Sequence, residues 1–171
     1  MSPKSVTTHV GTDRENNRDL YVVEISKPED IPQPFAKTGK FFTALIVWNA
    51  GGVEVETISK LAKRLIDAGG VSFCIWGTDC ERVHDIIDEE WVGNGNDPQL
   101  DETVMTTWHD DEPLAKAVWY ALHLGAFPID KFFDECRSVI AFCIGCPKLA
   151  AEIRAIFSDV EQFNKQISKD Q

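Results

Sequence analysis

One predicted turn of the chain carries four polar residues: His109, Asp110, Asp111 and Glu112. The turn follows a strand-like segment that ends at Trp108 and precedes an apolar-faced helix that begins near Pro113. In an open α/β sheet, ligands bind at the turns that follow the carboxyl ends of the strands. An imidazole beside carboxylates can transfer a proton or bind a hard divalent cation. This turn is therefore the strongest candidate for a functional site in the sequence.

Two overlapping sets of residues follow from that chemistry. The candidate catalytic residues are His109, Asp110 and Asp111. The candidate metal ligands are Asp79, His109 and Asp110, since Asp79 lies in a neighbouring strand-to-helix turn. Carboxylates ahead of a helix also stabilise its N-terminus by about 0.3–1 kcal/mol each, and the spacing here matches no specific metal motif. Apart from a divalent metal at this turn, no cofactor is expected.

Three tryptophans are predicted to end strands at the same edge of the sheet: Trp48, Trp76 and Trp108. Aromatic walls with a few polar groups are typical of small-molecule pockets. The predicted pocket residues are Trp48, Asn49, Trp76, Asp79, Cys80, Trp108 and Glu112. The alternative is that the three rings only cover the end of the core. The glycine turn at residues 49–52 matches neither G-x-G-x-x-G nor G-K-[ST], so no nucleotide-binding fingerprint is present.

Cys143 and Cys146 form a C-x-x-C motif at a predicted strand-to-helix junction. Three interpretations are open: a redox pair with Cys146 near a helix N-terminus, half of a zinc site completed by Cys74 and Cys80, or two small buried side chains. Cys80 is also a candidate nucleophile near a helix start. The carboxylates around Cys80 are expected to raise the pKa of its thiol, which opposes that role.

The negative charge of the chain is concentrated in one segment. With 17 basic and 28 acidic residues the net charge is −11, and residues 79–112 hold twelve of the acids and a single base, Arg82. The rest of the chain is electrically balanced. A field of one sign repels phosphate backbones, which argues against nucleic-acid binding and for a cation or a basic protein partner. A solvated acidic face that only aids solubility is the alternative.

Apolar segments alternate with amphipathic helices from residue 41 onward. Residues 41–48, 71–76 and 138–144 are nearly continuous apolar runs, typical of strands buried on both faces of a parallel sheet. The first strand-like segment, residues 20–25, is followed by a proline-rich loop and no helix, which leaves room for one antiparallel edge strand. The pattern predicts an α/β fold: a three-layer αβα, mainly parallel, doubly wound sheet of about five strands, Rossmann-like or flavodoxin-like. The strand order is not readable from the sequence.

A length of 171 residues fits one domain. We expect a polar tail at residues 1–19, a single α/β domain at residues 20–167 and a C-terminal tail at residues 168–171. No apolar run is long enough to span a bilayer, so no membrane association is expected. The N-terminus lacks the apolar core of a secretion signal and the cysteine count is odd, which predicts a cytoplasmic protein with reduced thiols. The sequence does not indicate an oligomeric state.

Two segments carry a resemblance to other proteins: W-G-T-D-C-E-R-V-H-D at residues 76–85 and T-T-W-H-D-D-E-P-L-A-K-A-V-W at residues 106–119. They are similar to a group of small uncharacterised bacterial α/β proteins of unknown function. The resemblance covers roughly residues 41–144. It brings no assigned activity, so it implies no role for any residue of this chain.

Two functions follow from these observations. The first is a binding or regulatory domain that presents the acidic face of residues 79–112 to a basic protein partner or a cation. The second, from a different class, is a metal-assisted hydrolase with its site around His109 at the carboxyl edge of the sheet.

Overall fold

The apolar runs of the sequence form the centre of a sheet that is covered by helices on both faces. The structure, a computed structural model, describes residues 5–93, 104–123 and 130–170. Within these residues the strands are β1 Ser5–Asp13, β2 Arg18–Ile25, β3 Phe41–Trp48, β4 Gly70–Trp76, β5 Met105–His109 and β6 Cys136–Ile144. The helices are α1 Val55–Asp67, α2 Cys80–Gly93, α3 Leu114–His123, α4 Asp130–Phe133, α5 Pro147–Ser158 and α6 Val160–Lys169.

The strand order is β1-β2-β6-β3-β4-β5. The β1–β2 pair is antiparallel and every other pair is parallel. Helices α1 and α2 pack on one face of the sheet, and α3, α5 and α6 pack on the other. The three-layer, mainly parallel α/β fold predicted from the sequence is confirmed. Right-handed connections place the carboxyl ends of β2, β3, β4, β5 and β6 at one edge, which we call the carboxyl edge.

Strands β3 and β6 are mostly apolar because both of their faces are covered. Seven of the eight β3 residues and eight of the nine β6 residues are buried. A central strand in a three-layer fold has no solvent-facing side, so the sequence shows a continuous apolar run rather than alternation.

The start of the chain differs from the prediction. Residues 5–13 are not a loose tail, because they form β1 and pair with β2 along its full length. The antiparallel edge strand is therefore β1, whereas the predicted candidate, residues 20–25, lies inside the sheet and runs parallel to β6. The described sheet accordingly has six strands rather than about five. Strand β1 was missed because its residues are mostly polar or small, as suits an edge strand with partly exposed faces.

The end of the chain differs in a smaller way. Two helices, α5 and α6, follow β6 and meet at Asp159. The Asp159 side chain accepts a hydrogen bond from the backbone N–H of Gln162 at 3.0 Å, and so caps α6. Helix α6 continues to Lys169, so residues 168 and 169 are helical rather than tail. Among the described residues, none of the helices combines the length and the apolar character needed to cross a bilayer.

Candidate functional site

His109 is the last residue of β5 and is held by contacts on all sides. Its side chain is 7% exposed and faces α3, where its ring packs edge-on against Tyr120 with the centroids 4.9 Å apart. Nδ1 lies 3.0 Å from a carboxylate oxygen of Glu112, and Nε2 lies 3.1 Å from the Thr107 hydroxyl. Both ring nitrogens therefore have partners inside the protein. A general-base role would require one of these two hydrogen bonds to be exchanged for a bond to a substrate.

The two aspartates after His109 do not converge on its ring. Asp110 and Asp111 are exposed, and Asp111 takes a left-handed backbone conformation with φ 55°. Within the described parts of the chain, no group of three or more His, Cys, Asp or Glu side chains is placed to hold a metal ion. The candidate metal set of Asp79, His109 and Asp110 is therefore not assembled in this structure, and the catalytic set of His109, Asp110 and Asp111 stays a prediction.

Asp79 has a different partner, Arg82. The Arg82 Nε donates to the Asp79 carboxylate at 2.7 Å, while its two terminal nitrogens donate to the backbone carbonyls of Val53 at 2.9 Å and Ala50 at 2.8 Å. One guanidinium therefore ties the turn after β3 to the turn after β4. Sequence reasoning did not single out Arg82 as a structural residue, although it is the one base in the acidic segment and that isolation was a usable signal.

The three tryptophans do not form one wall. Trp48 is 6% exposed and packs in the core on the α1 and α2 face of the sheet. Trp76 packs on the opposite face, beside α3, and its indole N–H donates to the backbone carbonyl of Glu112 at 2.7 Å. Since Trp76 is in register with Val47 rather than with Trp48, the side chains of Trp48 and Trp76 point to opposite faces.

The remaining predicted pocket residues also serve the turns. Asn49 is exposed, and its side-chain oxygen accepts a hydrogen bond from the backbone N–H of Gly51 at 3.3 Å. The described grooves lie elsewhere: one of about 750 Å³ runs between the β1–β2 turn and the α5–α6 junction, and one of about 340 Å³ lies beside α1. None of the predicted pocket residues lines either groove.

Cys80 is the first residue of α2 and is 2% exposed. Burial raises the pKa of its thiol, and the negative charge of Asp110 raises it further, although the backbone of His109 hydrogen-bonds the sulfur and acts in the opposite direction. A thiol that holds its proton more tightly than usual is a poor nucleophile. The expected effect of the neighbouring carboxylates on Cys80 is therefore present.

Trp108 is the exposed ring of this edge. Its side chain is 44% exposed, on the face of β5 that carries α2. The His84 ring packs edge-on against it with the centroids 4.6 Å apart. The His84 nitrogens lie 2.9 Å from Asp85 and 3.6 Å from Asp88, and Asp88 also accepts a hydrogen bond from the Thr106 hydroxyl at 2.6 Å. A large aromatic surface thus lies directly beside fixed carboxylates.

Exposed acidic residues lie on α2, which packs beside Trp108, and in the turn that follows Trp108. On α2 the exposed acids recur at four-residue spacing, which places Glu81, Asp85 and Glu89 along one stripe of the helix. The turn that follows Trp108 adds the exposed carboxylates of Asp110, Asp111 and Glu112. Of the acidic face predicted at residues 79–112, the described part used below consists of Trp108 and these six acids, and the name refers to them from here on. Three more acids of the charged segment, Asp97, Asp101 and Glu102, lie outside the described residues.

A family model described as a domain of unknown function, DUF7684, matches residues 20–160. The match covers more than half of the chain. The chain belongs to the DUF7684 family. The matched region runs from Leu20 in β2 to Val160, the first residue of α6, so β1 lies outside it. No curated protein matches the chain in a sequence search, and no solved structure matches it. The DUF7684 family carries no assigned activity, so any function must be argued from the geometry above.

Proposed function

We propose that this DUF7684 domain binds a basic segment of a partner protein through the acidic face. The observation that carries the proposal is Trp108, a tryptophan left 44% exposed among fixed carboxylates. Tryptophan is enriched among the residues that contribute most of the binding energy at protein interfaces. The Trp108 indole packs on His84, whose ring nitrogens lie near the carboxylates of Asp85 and Asp88.

The chemistry of the acidic face selects a cationic partner. A lysine or arginine side chain over the Trp108 ring gains about 0.5–1 kcal/mol from the ring quadrupole at an exposed site. The carboxylates of Glu81, Asp85 and Glu89 on α2 supply a field that attracts positive charge and raises the rate of association. The two contributions are separable, because the ring acts at contact distance and the charges act over about a Debye length.

The test is a binding titration with a fluorescently labelled oligo-arginine peptide and an oligo-lysine peptide, followed by fluorescence anisotropy at several salt concentrations. Replacing the three α2 acids together, Glu81→Gln, Asp85→Asn and Glu89→Gln, should weaken binding at low salt and flatten its salt dependence. Trp108→Ala should weaken binding by about two- to fivefold at every salt concentration, corresponding to the loss of about 0.5–1 kcal/mol.

Matched controls separate the acidic face from charge in general. Glu56→Gln, Asp134→Asn and Glu152→Gln remove the same number and kind of exposed carboxylates from other surfaces. Phe133→Ala removes an aromatic ring of similar exposure, 50%, from another part of the molecule. If the control triple variant weakened binding as much as the α2 triple variant, or if Trp108→Ala left the affinity unchanged, the proposal would be wrong.

A further inference from the structure

The two cysteines of the C-x-x-C motif lie at the carboxyl edge, at the junction of β6 and α5. Cys143 is the next-to-last residue of β6 and is fully buried. Cys146 is the N-cap residue of α5 and is partly exposed. Between them Gly145 takes a left-handed conformation, φ +67°, which reverses the chain so that both thiols face the same core. One thiol is therefore reachable from solvent and the other lies beneath it.

The contacts of the two sulfurs fix this arrangement. The side chains of Cys143 and Cys146 lie close enough for each thiol to change the pKa of the other. Cys146 also donates from its thiol to the backbone carbonyl of Val47 at 3.4 Å, and Val47 is the residue of β3 that is in register with Cys143. The two sulfurs are thus neighbours held over one point of the sheet. This placement on one side of a short strand-to-helix turn suits disulfide formation, which requires the two Cβ atoms to lie about 3.5–4.5 Å apart.

The two thiols differ in acidity in a way that suits an attacking and a resolving cysteine. The hydrogen bond from Cys143 lowers the pKa of the Cys146 thiol, although burial and the charge of Glu24 act against this. The same hydrogen bond, together with burial, raises the pKa of Cys143 above its usual range. Arg154 on α5 faces this site, and its guanidinium pairs with the Glu24 carboxylate at 2.7 Å. The partly exposed thiol is therefore the one that ionises first.

We propose that Cys146 and Cys143 form a thiol–disulfide exchange pair that reacts with small-molecule disulfides. The Cys146 thiolate attacks one sulfur of the disulfide, which forms a mixed disulfide on Cys146 and releases one thiolate that takes up a proton. Cys143 then loses its proton to solvent and attacks the Cys146 sulfur, which forms the Cys143–Cys146 bond and releases the second thiol. The protein loses two protons and two electrons in total, and the disulfide is reduced to two thiols.

The other three cysteines lack this arrangement. Cys74, Cys80 and Cys136 are buried free thiols, and burial raises the pKa of each, to about 12 for Cys74. The zinc interpretation of the motif needs further ligands, and no group of three such side chains is placed together within the residues that the structure describes. The pair at β6 and α5 is thus chemically distinct from the rest of the cysteines.

The test uses the reduced, full-length protein and oxidised glutathione, followed by intact-mass and peptide mass spectrometry after acid quenching. The wild-type protein should lose the mass of two hydrogen atoms, and the new bond should link Cys143 to Cys146. An early quench should trap one glutathione on Cys146. The Cys143→Ser variant should stop at that glutathione adduct, and the Cys146→Ser variant should not react at the motif.

Cys80→Ala is the matched control, because Cys80 is also a buried cysteine at a strand-to-helix turn. It should be oxidised at the wild-type rate. Circular dichroism tests whether each variant is folded. If Cys143→Ser does not fold, the early quench of the wild-type protein still shows whether glutathione is attached to Cys146 before the bridge forms. Wild-type protein that retains glutathione on Cys146 without forming the bridge would refute the proposal. A bridge that involves Cys74, Cys80 or Cys136, or unchanged motif oxidation in Cys146→Ser, would refute it as well.

Discussion

Two glycines at the carboxyl edge offer a direct measure of how tightly the turns are built. Gly52, after β3, and Gly77, after β4, both have positive φ, +74° and +124°. A Cβ added to Gly52 would meet no atom within 4 Å. A Cβ added to Gly77 would overlap the carbonyl oxygen of Trp48 and lie 2.8 Å from its carbonyl carbon. Gly52→Ala therefore tests the backbone conformation alone, and Gly77→Ala tests it together with a collision against the β3 backbone.

The two costs can be worked out separately. Gly52→Ala carries the left-handed penalty of about 1–2 kcal/mol, reduced by the lower entropy of the unfolded chain, and should cost about 1 kcal/mol. In Gly77→Ala, the alanine must adopt a φ that L residues rarely take, which costs about 1–3 kcal/mol. Its Cβ also overlaps main-chain atoms, which no side-chain rotation can relieve, and this costs about another 1–3 kcal/mol. We expect a loss of about 4 kcal/mol. For a chain of this length these values correspond to falls in Tm of about 2–4 °C and about 8–16 °C.

The assay is urea unfolding followed by circular dichroism, with thermal unfolding as a second measurement. Gly77→Ala should lower the free energy of unfolding by about 3 kcal/mol more than Gly52→Ala does, because of the two glycines only Gly77 faces the Trp48 carbonyl. Equal losses for the two alanine variants would show that the close approach of the two turns is absent, and the placement of α2 relative to β3 would then be wrong.

Three further outcomes are expected. Arg82→Met removes the bridge between the two turns and should lower the free energy of unfolding in urea by about 2 kcal/mol. Lys63→Met, at an exposed position and with the same effect on net charge, should change it by less than about 0.5 kcal/mol. Similar values for the two variants would contradict the bridging role of Arg82. Burial raises the pKa of Cys74 to about 12, so above pH about 8.5 the unfolded chain releases a proton that the folded protein keeps. The contribution of Cys74 to the free energy of unfolding should therefore fall by about 1.4 kcal/mol per pH unit. In Cys74→Val, the free energy of unfolding should fall less steeply with rising pH than in the wild-type protein. Cys143→Ala removes the hydrogen bond that lowers the pKa of Cys146, so the midpoint of its iodoacetamide alkylation rate against pH should move to higher pH; an unchanged midpoint would show that Cys143 does not tune Cys146.

The layered architecture was predictable because burial on both faces has a clear sequence signature. Strands such as β3 and β6 have few polar residues, and the helices between strands show apolar positions at three-to-four spacing. Strand β1 was not predictable in the same way, since an edge strand is held by backbone hydrogen bonds to β2 that leave no apolar pattern. The strand order was not predictable either, because no local pattern shows that β6 inserts between β2 and β3.

The candidate site was predicted in its location and not in its arrangement. Parallel strands bring their carboxyl ends to one edge, which is why His109, Asp79 and Cys146 all lie there. Which face each side chain takes depends on register, and a shift of one residue reverses it. Because Trp76 aligns with Val47 rather than with Trp48, the two indoles face opposite layers, and Trp108 is left as the exposed ring. Sequence alone gives no register between strands separated by a helix.

The insertion of β6 has a consequence for how the chain is made. Among the described strands β6 comes last along the chain, yet it is the one that joins the β1–β2 pair to the β3–β4–β5 group, because β2 and β3 each pair with β6 and not with each other. A nascent chain that ends before Cys136 therefore has two separate pieces of sheet, each with an unpaired edge of apolar residues. The two pieces can join only after β6 has left the ribosome, so the described sheet is completed late rather than strand by strand.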